Sequence, residues 1–169
     1  MIPQIKKILY ATDLTKNASY AFYFAVDMAQ KHDAKIIILH CIEPLPPLVY
    51  GQEDFGAFEM AREQEKQEGV AKIKKRLQQF CKNAESQIGS PCVHLVSEVM
   101  VREGYPVEEI LATADTKECD VIVLGTHGKG WLKQTFLGST ASSVLQRTRK
   151  PVLVIPLPSE KSGIEMGAL

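Results

Sequence analysis

The chain has no excess of charge of either sign: its 169 residues carry 20 Lys plus Arg and 20 Asp plus Glu. Broad electrostatic capture of nucleic acid or an anionic membrane needs a basic excess, so the balance argues against both as partners. The basic clusters at Lys72, Lys74, Lys75 and Arg76 and at Arg147, Arg149 and Lys150 then read as solvated faces. Long apolar runs are missing as well, and none approaches the roughly 20 residues of a membrane span. Met1 to Lys7 lacks a signal-peptide pattern and leads quickly to Asp13. The four cysteines, Cys41, Cys81, Cys92 and Cys119, form no CxxC pair. Without an export signal they read as reduced thiols of a cytoplasmic protein. Cys41 and Cys119 lie in or beside apolar segments and are expected to be packed rather than reactive.

Catalytic signatures are also missing. There is no HExxH and no Cys/His cluster, and His32 and His94 have no partner at metal-ligand spacing. No serine sits in a GxSxG elbow. No nucleophile–base pair is evident, so no catalytic residue is assigned. His40, on an apolar strand, reads as a satisfied core or interface histidine.

What is present is an alternation of periods. Ile5–Ala11, Lys35–Ile42, Val93–Val101, Asp120–Gly125 and Pro151–Ile155 are short apolar runs suited to strands. Between them lie stretches with helical spacing. Ala18, Ala21, Phe22, Ala25, Met28 and Ala29 mark one. Val70, Ile73, Leu77, Phe80, Ala84 and Ile88 mark a second, with Gly69 a possible break and a polar, weakly anchored first half. A third opens at Tyr105-Pro106, and a fourth runs from Ser139 to about Thr148. This order predicts an α/β fold: one doubly wound, five-stranded parallel sheet with helices on both faces, Rossmann-like in type. Ligands in such sheets sit beyond the carboxyl ends of the strands. Residues 43–56, with three prolines and two glycines, read as a flap or contact surface. The single domain spans residues 1–157, and 158–169 is expected to be a disordered tail.

The chemistry-bearing segment is Gly125 to Ala141, between a strand and a helix. Its glycines allow close backbone approach to a ligand. Gly138-Ser139-Thr140 stands where a helix begins, and free N–H groups there favour a phosphate. Lys129 and Lys133 add positive charge. It is not a Walker A loop, for want of Gly-Lys-Ser/Thr, nor a dinucleotide fingerprint, since Lys133 stands where the third glycine belongs. Two readings remain from the residues alone: a phosphate site, or a glycine-rich connection with Ser139 as a plain helix cap.

Gly125-x-x-Gly128, nine residues, then Gly138-Ser139 resembles the nucleotide-binding branch of the universal stress proteins. KKILYATD ending at Asp13, IIILHCIEP and KPVLVIP fall in the same order, and the likeness covers about residues 5–157. The resemblance implies an adenine nucleotide: ATP, ADP or AMP. Mg2+ can accompany such phosphates. The same resemblance implies that Asp13 bonds the ribose or adenosine end, with Ala11 and Thr12 lining the same mouth. The backbone of Cys41 would meet the adenine edge, and Leu124 and Gly125 would pass under the sugar. Gly128, Gly138, Ser139, Thr140 and the N–H of Ala141 would surround the phosphates. From the residues alone, His127 could contact a phosphate and Lys129 adds charge near it. Ala141 supplies no side-chain hydroxyl. Asp13 could equally serve as a turn or cap residue, and His127 could merely hold its loop.

The expected function is a nucleotide-dependent stress-response regulator. It would act as a homodimer through the last strand and be read by a protein partner not specified by the sequence. The alternatives are a slow ATPase or an interaction protein with a vestigial pocket.

Overall fold

Five parallel strands follow one another through four helices in a computed structural model that describes residues 2–44, 55–88, 91–126 and 137–156. They are β1 (Lys7–Thr12), α1 (Lys16–His32), β2 (Lys35–Ile42), α2 (Phe55–Ile88), β3 (Val96–Glu103), α3 (Pro106–Thr116), β4 (Val121–Gly125), α4 (Ser139–Arg147) and β5 (Val152–Ile155). The sheet order is β3-β2-β1-β4-β5, parallel throughout. Strand order therefore reverses between β1 and β4, and that crevice is the ligand position of doubly wound sheets.

Continuous apolar strands are needed because both faces are covered. On one face Ile8, Tyr10, Ile36, Ile38 and Val123 pack beneath α1 and α2, through Phe22, Val26, Ile73 and Phe80. On the other, Leu9, Ile37, Leu39, Ile122 and Leu124 pack beneath α3 and α4, through Ile110, Ala114, Ala141 and Val144. Period-two alternation assigns odd and even residues of each strand to opposite layers.

The helix ends follow local chemistry. The Thr15 hydroxyl accepts from Ala18 N–H at 3.4 Å and caps α1, and Asp33 ends it with φ of 50°. Pro106 opens α3 at its first turn, where a missing N–H is harmless. Gly69 does not break α2, which runs continuously; a Cβ there would stand 3.7 Å from Val101 on β3. The polar first half of α2 is anchored after all. Arg62 and Lys66 reach Glu103 at the end of β3, at 2.7 and 3.3 Å. The third strand begins three residues later than the expected Val93, because Val93–Leu95 is a 3-10 turn.

The cysteine expectation fails in part. Cys92 is buried and disulfide-bonded rather than a reduced thiol, while Cys41 and Cys119 are free. Spacing along the chain does not report which sulfurs the fold brings together. Most of the 43–56 segment and the whole 158–169 tail lie outside the described residues. Among the described residues no helix is long and apolar enough to cross a membrane.

Candidate functional site

At the carboxyl end of β1 the chain makes a tight, strained turn. Leu14 has φ of 65°, a left-handed angle unfavourable for a branched side chain. Two neighbours hold it there: Leu14 N–H donates to Thr12 Oγ1 at 3.0 Å, and Asp13 Oδ1 accepts from Thr15 N–H at 3.0 Å and Thr15 Oγ1 at 2.6 Å. The turn reading of Asp13 thus holds for one carboxylate oxygen. The other, Oδ2, is buried and has no hydrogen-bond partner among the described residues. A buried carboxylate oxygen left without a donor is costly, on the order of 1–3 kcal/mol or more for a charged group. Among the described residues it is an acceptor without a donor.

Across the crevice, β4 ends in buried Leu124 and half-buried Gly125, followed by Thr126, also buried. The Thr126 carbonyl accepts from Gly138 N–H at 2.6 Å, which sets the start of α4 beside the end of β4. Gly138 is the N-cap and uses no side-chain cap; its φ of −63° is open to any residue. Backbone freedom therefore does not require glycine there. Ser139 is exposed and Thr140 half-buried at the first turn. Ala141 is buried in the core layer under α4, which explains an apolar residue at that position. Its N–H lies in the first turn, among the four donors a helix leaves unpaired.

The end of β2 supplies the third wall. His40 Nδ1 lies 2.8 Å from the Thr12 carbonyl oxygen, so His40 is the satisfied histidine the sequence suggested. Cys41 is half-buried on the layer shared with α3 and α4. Burial pushes its thiol up to about 12, and the charges of Glu109 and Glu43 add to the shift. Burial also drives the Tyr10 phenol upward, against a hydrogen bond with Thr12 and with the Asp13 charge.

The structure therefore brings Ala11, Thr12, Asp13, Cys41, Leu124, Gly125, Gly138, Ser139, Thr140 and Ala141 to the carboxyl end of one sheet. His127, Gly128 and Lys129 lie outside the described residues. Sequence reasoning missed Gly104 and Glu109. Gly104 has φ of 157°, and a Cβ there would lie 2.5 Å from Glu109 Oε1. The available signal was a glycine two residues before a helix-opening proline. Among the described residues, no group of three or more His, Cys, Asp or Glu side chains could hold a metal ion.

Comparison with known proteins places this geometry. Residues 4–156 match the profile of the Universal stress protein family. Universal stress protein MJ0531 of Methanocaldococcus jannaschii is 31% identical over 156 residues, covering 92% of this chain and 85% of that one. The solved structure of MJ0577, from the same organism, superposes with a TM-score of 0.67 at 26% identity, covering 94% of this chain and 100% of that one. A universal stress protein solved in complex with cAMP shares the fold, with a TM-score of 0.58 at 19% identity over 91% of this chain and 98% of that one.

Proposed function

The chain belongs to the universal stress protein family, and on that premise we propose that it binds an adenine nucleotide at the carboxyl end of the β1–β4 crevice. The observation that carries this reading is Asp13 Oδ2, a buried carboxylate oxygen with no hydrogen-bond partner among the described residues, at the carboxyl end of β1 beside β4. A carboxylate there accepts a hydrogen bond from a ribose hydroxyl, and a charge-assisted bond is roughly twice as strong as a neutral one. The first turn of α4 offers N–H donors and the positive end of its dipole to the phosphates, and Mg2+ would neutralise the phosphate charge that remains. Gly128, His127 and Lys129 complete the phosphate end in this reading. The cAMP bound by the structural neighbour is itself an adenine nucleotide.

Function follows as regulation in the cytoplasm rather than turnover. A bound nucleotide changes a protein's state only by binding two conformations unequally; the movable elements in this reading are the glycine-rich loop and the 43–56 segment, and a protein partner reads them. The acting species is a homodimer paired through β5. That strand lies at the sheet edge, with Val152, Leu153 and Val154 only partly covered, and an uncovered apolar edge invites pairing.

The test is to denature freshly purified protein and identify the small molecule released. Near-stoichiometric ATP, ADP or AMP supports the reading. Empty protein whose melting temperature ignores millimolar ATP with Mg2+ refutes it, since ligand at 100 times its dissociation constant adds about 2.7 kcal/mol. That result would favour an interaction protein with a vestigial pocket. Sedimentation at micromolar concentration tests the dimer separately, and a monomeric mass refutes it.

A further inference from the structure

Tyr10 is a fully buried tyrosine on the central strand, and the site described above makes no use of it. It sits on β1 between Ile38 of β2 and Val123 of β4. Its ring packs on Phe22 of α1, with centroids 5.0 Å apart. A phenol in such a layer must find partners for its oxygen. Tyr10 Oη donates to the Ala18 carbonyl at 2.5 Å, in the first turn of α1. It also hydrogen-bonds the Thr12 side chain. An aliphatic residue fills the same layer with no polar atom to satisfy, as Ile8 does two residues earlier.

Donor counting gives these bonds a direction. The phenol has one hydrogen and gives it to Ala18, so it accepts from the Thr12 hydroxyl. Thr12 Oγ1 has then given its own hydrogen, and a lone pair on it accepts from Leu14 N–H at 3.0 Å. Three bonds thus run in sequence from Leu14 N–H through Thr12 and Tyr10 to the Ala18 carbonyl. They span residues 10–18 and bracket Asp13. The residue gripped at one end is Leu14, whose φ of 65° is disfavoured for a residue with a Cβ. Leu14 also sets where Thr15 N–H points. That N–H and Thr15 Oγ1 hold Asp13 Oδ1, at 3.0 and 2.6 Å. With Oδ1 held, the carboxylate plane is fixed, and Oδ2 is the oxygen without a donor among the described residues. Relaxation of Leu14 to a negative φ turns the Leu14–Thr15 peptide and releases Oδ1.

We infer that Tyr10 is a positioning residue of the nucleotide site: its hydroxyl, through Thr12, holds Leu14 in the left-handed conformation that fixes the Asp13 carboxylate. This rests on the nucleotide reading above and adds to it a residue with no surface to offer a ligand. Binding then meets a carboxylate already oriented, with less ordering left to do on contact. Removing the phenol oxygen keeps the ring packing but lets Leu14 relax. A glycine at position 14 adopts the same angle unaided, so it makes the hydroxyl chain dispensable.

The experiment is calorimetric titration of the full chain, freed of bound ligand, with ATP and Mg2+. The proteins are wild type, Tyr10→Phe, Leu14→Gly, the two changes combined, and Asp13→Asn with and without Tyr10→Phe. Tyr10→Phe is expected to weaken ATP binding about tenfold, the scale of one unfavourable left-handed residue. Leu14→Gly should stay within about threefold of wild type, and the combined variant should return to that range. In the Asp13→Asn background Tyr10→Phe should change affinity by less than about twofold, because residues acting through one group are not additive. Circular dichroism and urea midpoints establish that the variants are folded. Leu14→Asn, closer to leucine in size and tolerant of the same angle, takes the place of a glycine variant that does not fold. A purely structural phenol lowers stability with no rescue from position 14. Wild-type affinity in Tyr10→Phe overturns the inference, as does a loss that neither change at Leu14 restores. If Asp13→Asn weakens binding while Tyr10→Phe does not, positioning by Tyr10 falls and the nucleotide reading stands. If wild type does not bind ATP, both fall.

Discussion

The two ends of the sheet treat their polar groups in opposite ways. At the amino end, Asp120 Oδ2 accepts from Lys6 and Lys7 N–H, both at 2.8 Å, and Asp120 N–H bonds the Lys7 carbonyl. Lys35 N–H closes on the Lys6 carbonyl, and the Lys6 and Lys7 ammonium groups cap the carbonyls of His32 and Lys117. At the carboxyl end, Asp13 Oδ2 and the Glu109 carboxylate have no partner among the described residues. The two free thiols feel the same contrast. Both are raised by burial, but Lys150 and Lys7 pull Cys119 back down while Glu109 and Glu43 push Cys41 further up. One end is a finished structural joint. The other keeps acceptors and strain, as at Leu14, that packing alone does not reward.

The largest expected difference lies in thiol reactivity. With its thiol pushed up to about 12, Cys41 carries roughly a thousandfold less thiolate at pH 8 than an ordinary cysteine. Its carboxymethylation by iodoacetamide, followed by mass spectrometry, should stay slow until strongly alkaline pH. Labelling at an ordinary rate at pH 8 would erase the contrast. Next come the two aspartates. Asp13→Asn should weaken ATP binding at least tenfold, about 1.4 kcal/mol, without lowering the melting temperature, because Oδ1 of the amide still closes the turn. Gly138→Val should weaken it similarly by crowding the start of α4. Unchanged affinity in both variants would remove the site from this end of the sheet.

Asp120→Ala should do the reverse. It deletes the acceptor for two backbone donors and should cost about 1–3 kcal/mol in urea unfolding, with ATP affinity untouched. Loss of binding without loss of stability would collapse the distinction between the ends. The smallest effect is at Glu108, which is exposed. Arg147 beside it holds its carboxyl below the usual range. A depressed folded-state value means the stabilisation is present above the ordinary carboxylate range and lost as pH falls through and below it. The urea midpoint of wild type should exceed that of Arg147→Ala slightly at neutral pH, and the gap should close in acid.

Much of the fold was legible because period and composition are local properties. The runs at Ile36–Leu39 and Val121–Leu124 are too continuous for one-sided strands, and both are covered on two faces. Asp13 and Gly138-Ser139-Thr140 could be marked because each stands at a strand or helix end, where a turn signal is visible in the chain. Glu109 could not. A glutamate in the first turn of a helix looks like Glu108 beside it. Only the packing of α3 on the sheet sends one to Arg147 and the other against Gly104. Cys92 was misread for the same reason, since a disulfide depends on distance in space.

The sequence by itself determined the order of strands and helices, the layer each apolar residue joins, and the positions where the backbone could open to a ligand. These depend on near-neighbour periodicity and steric freedom, which the chain carries wherever it goes. The tertiary structure alone decided which polar groups find partners. Asp120 meets Lys6 and Lys7 across more than a hundred residues, and Asp13 Oδ2 meets no hydrogen-bond donor among the described residues. A hydrogen bond acts over about 3 Å, so whether a carboxylate is a joint or a site is settled only when distant segments come together.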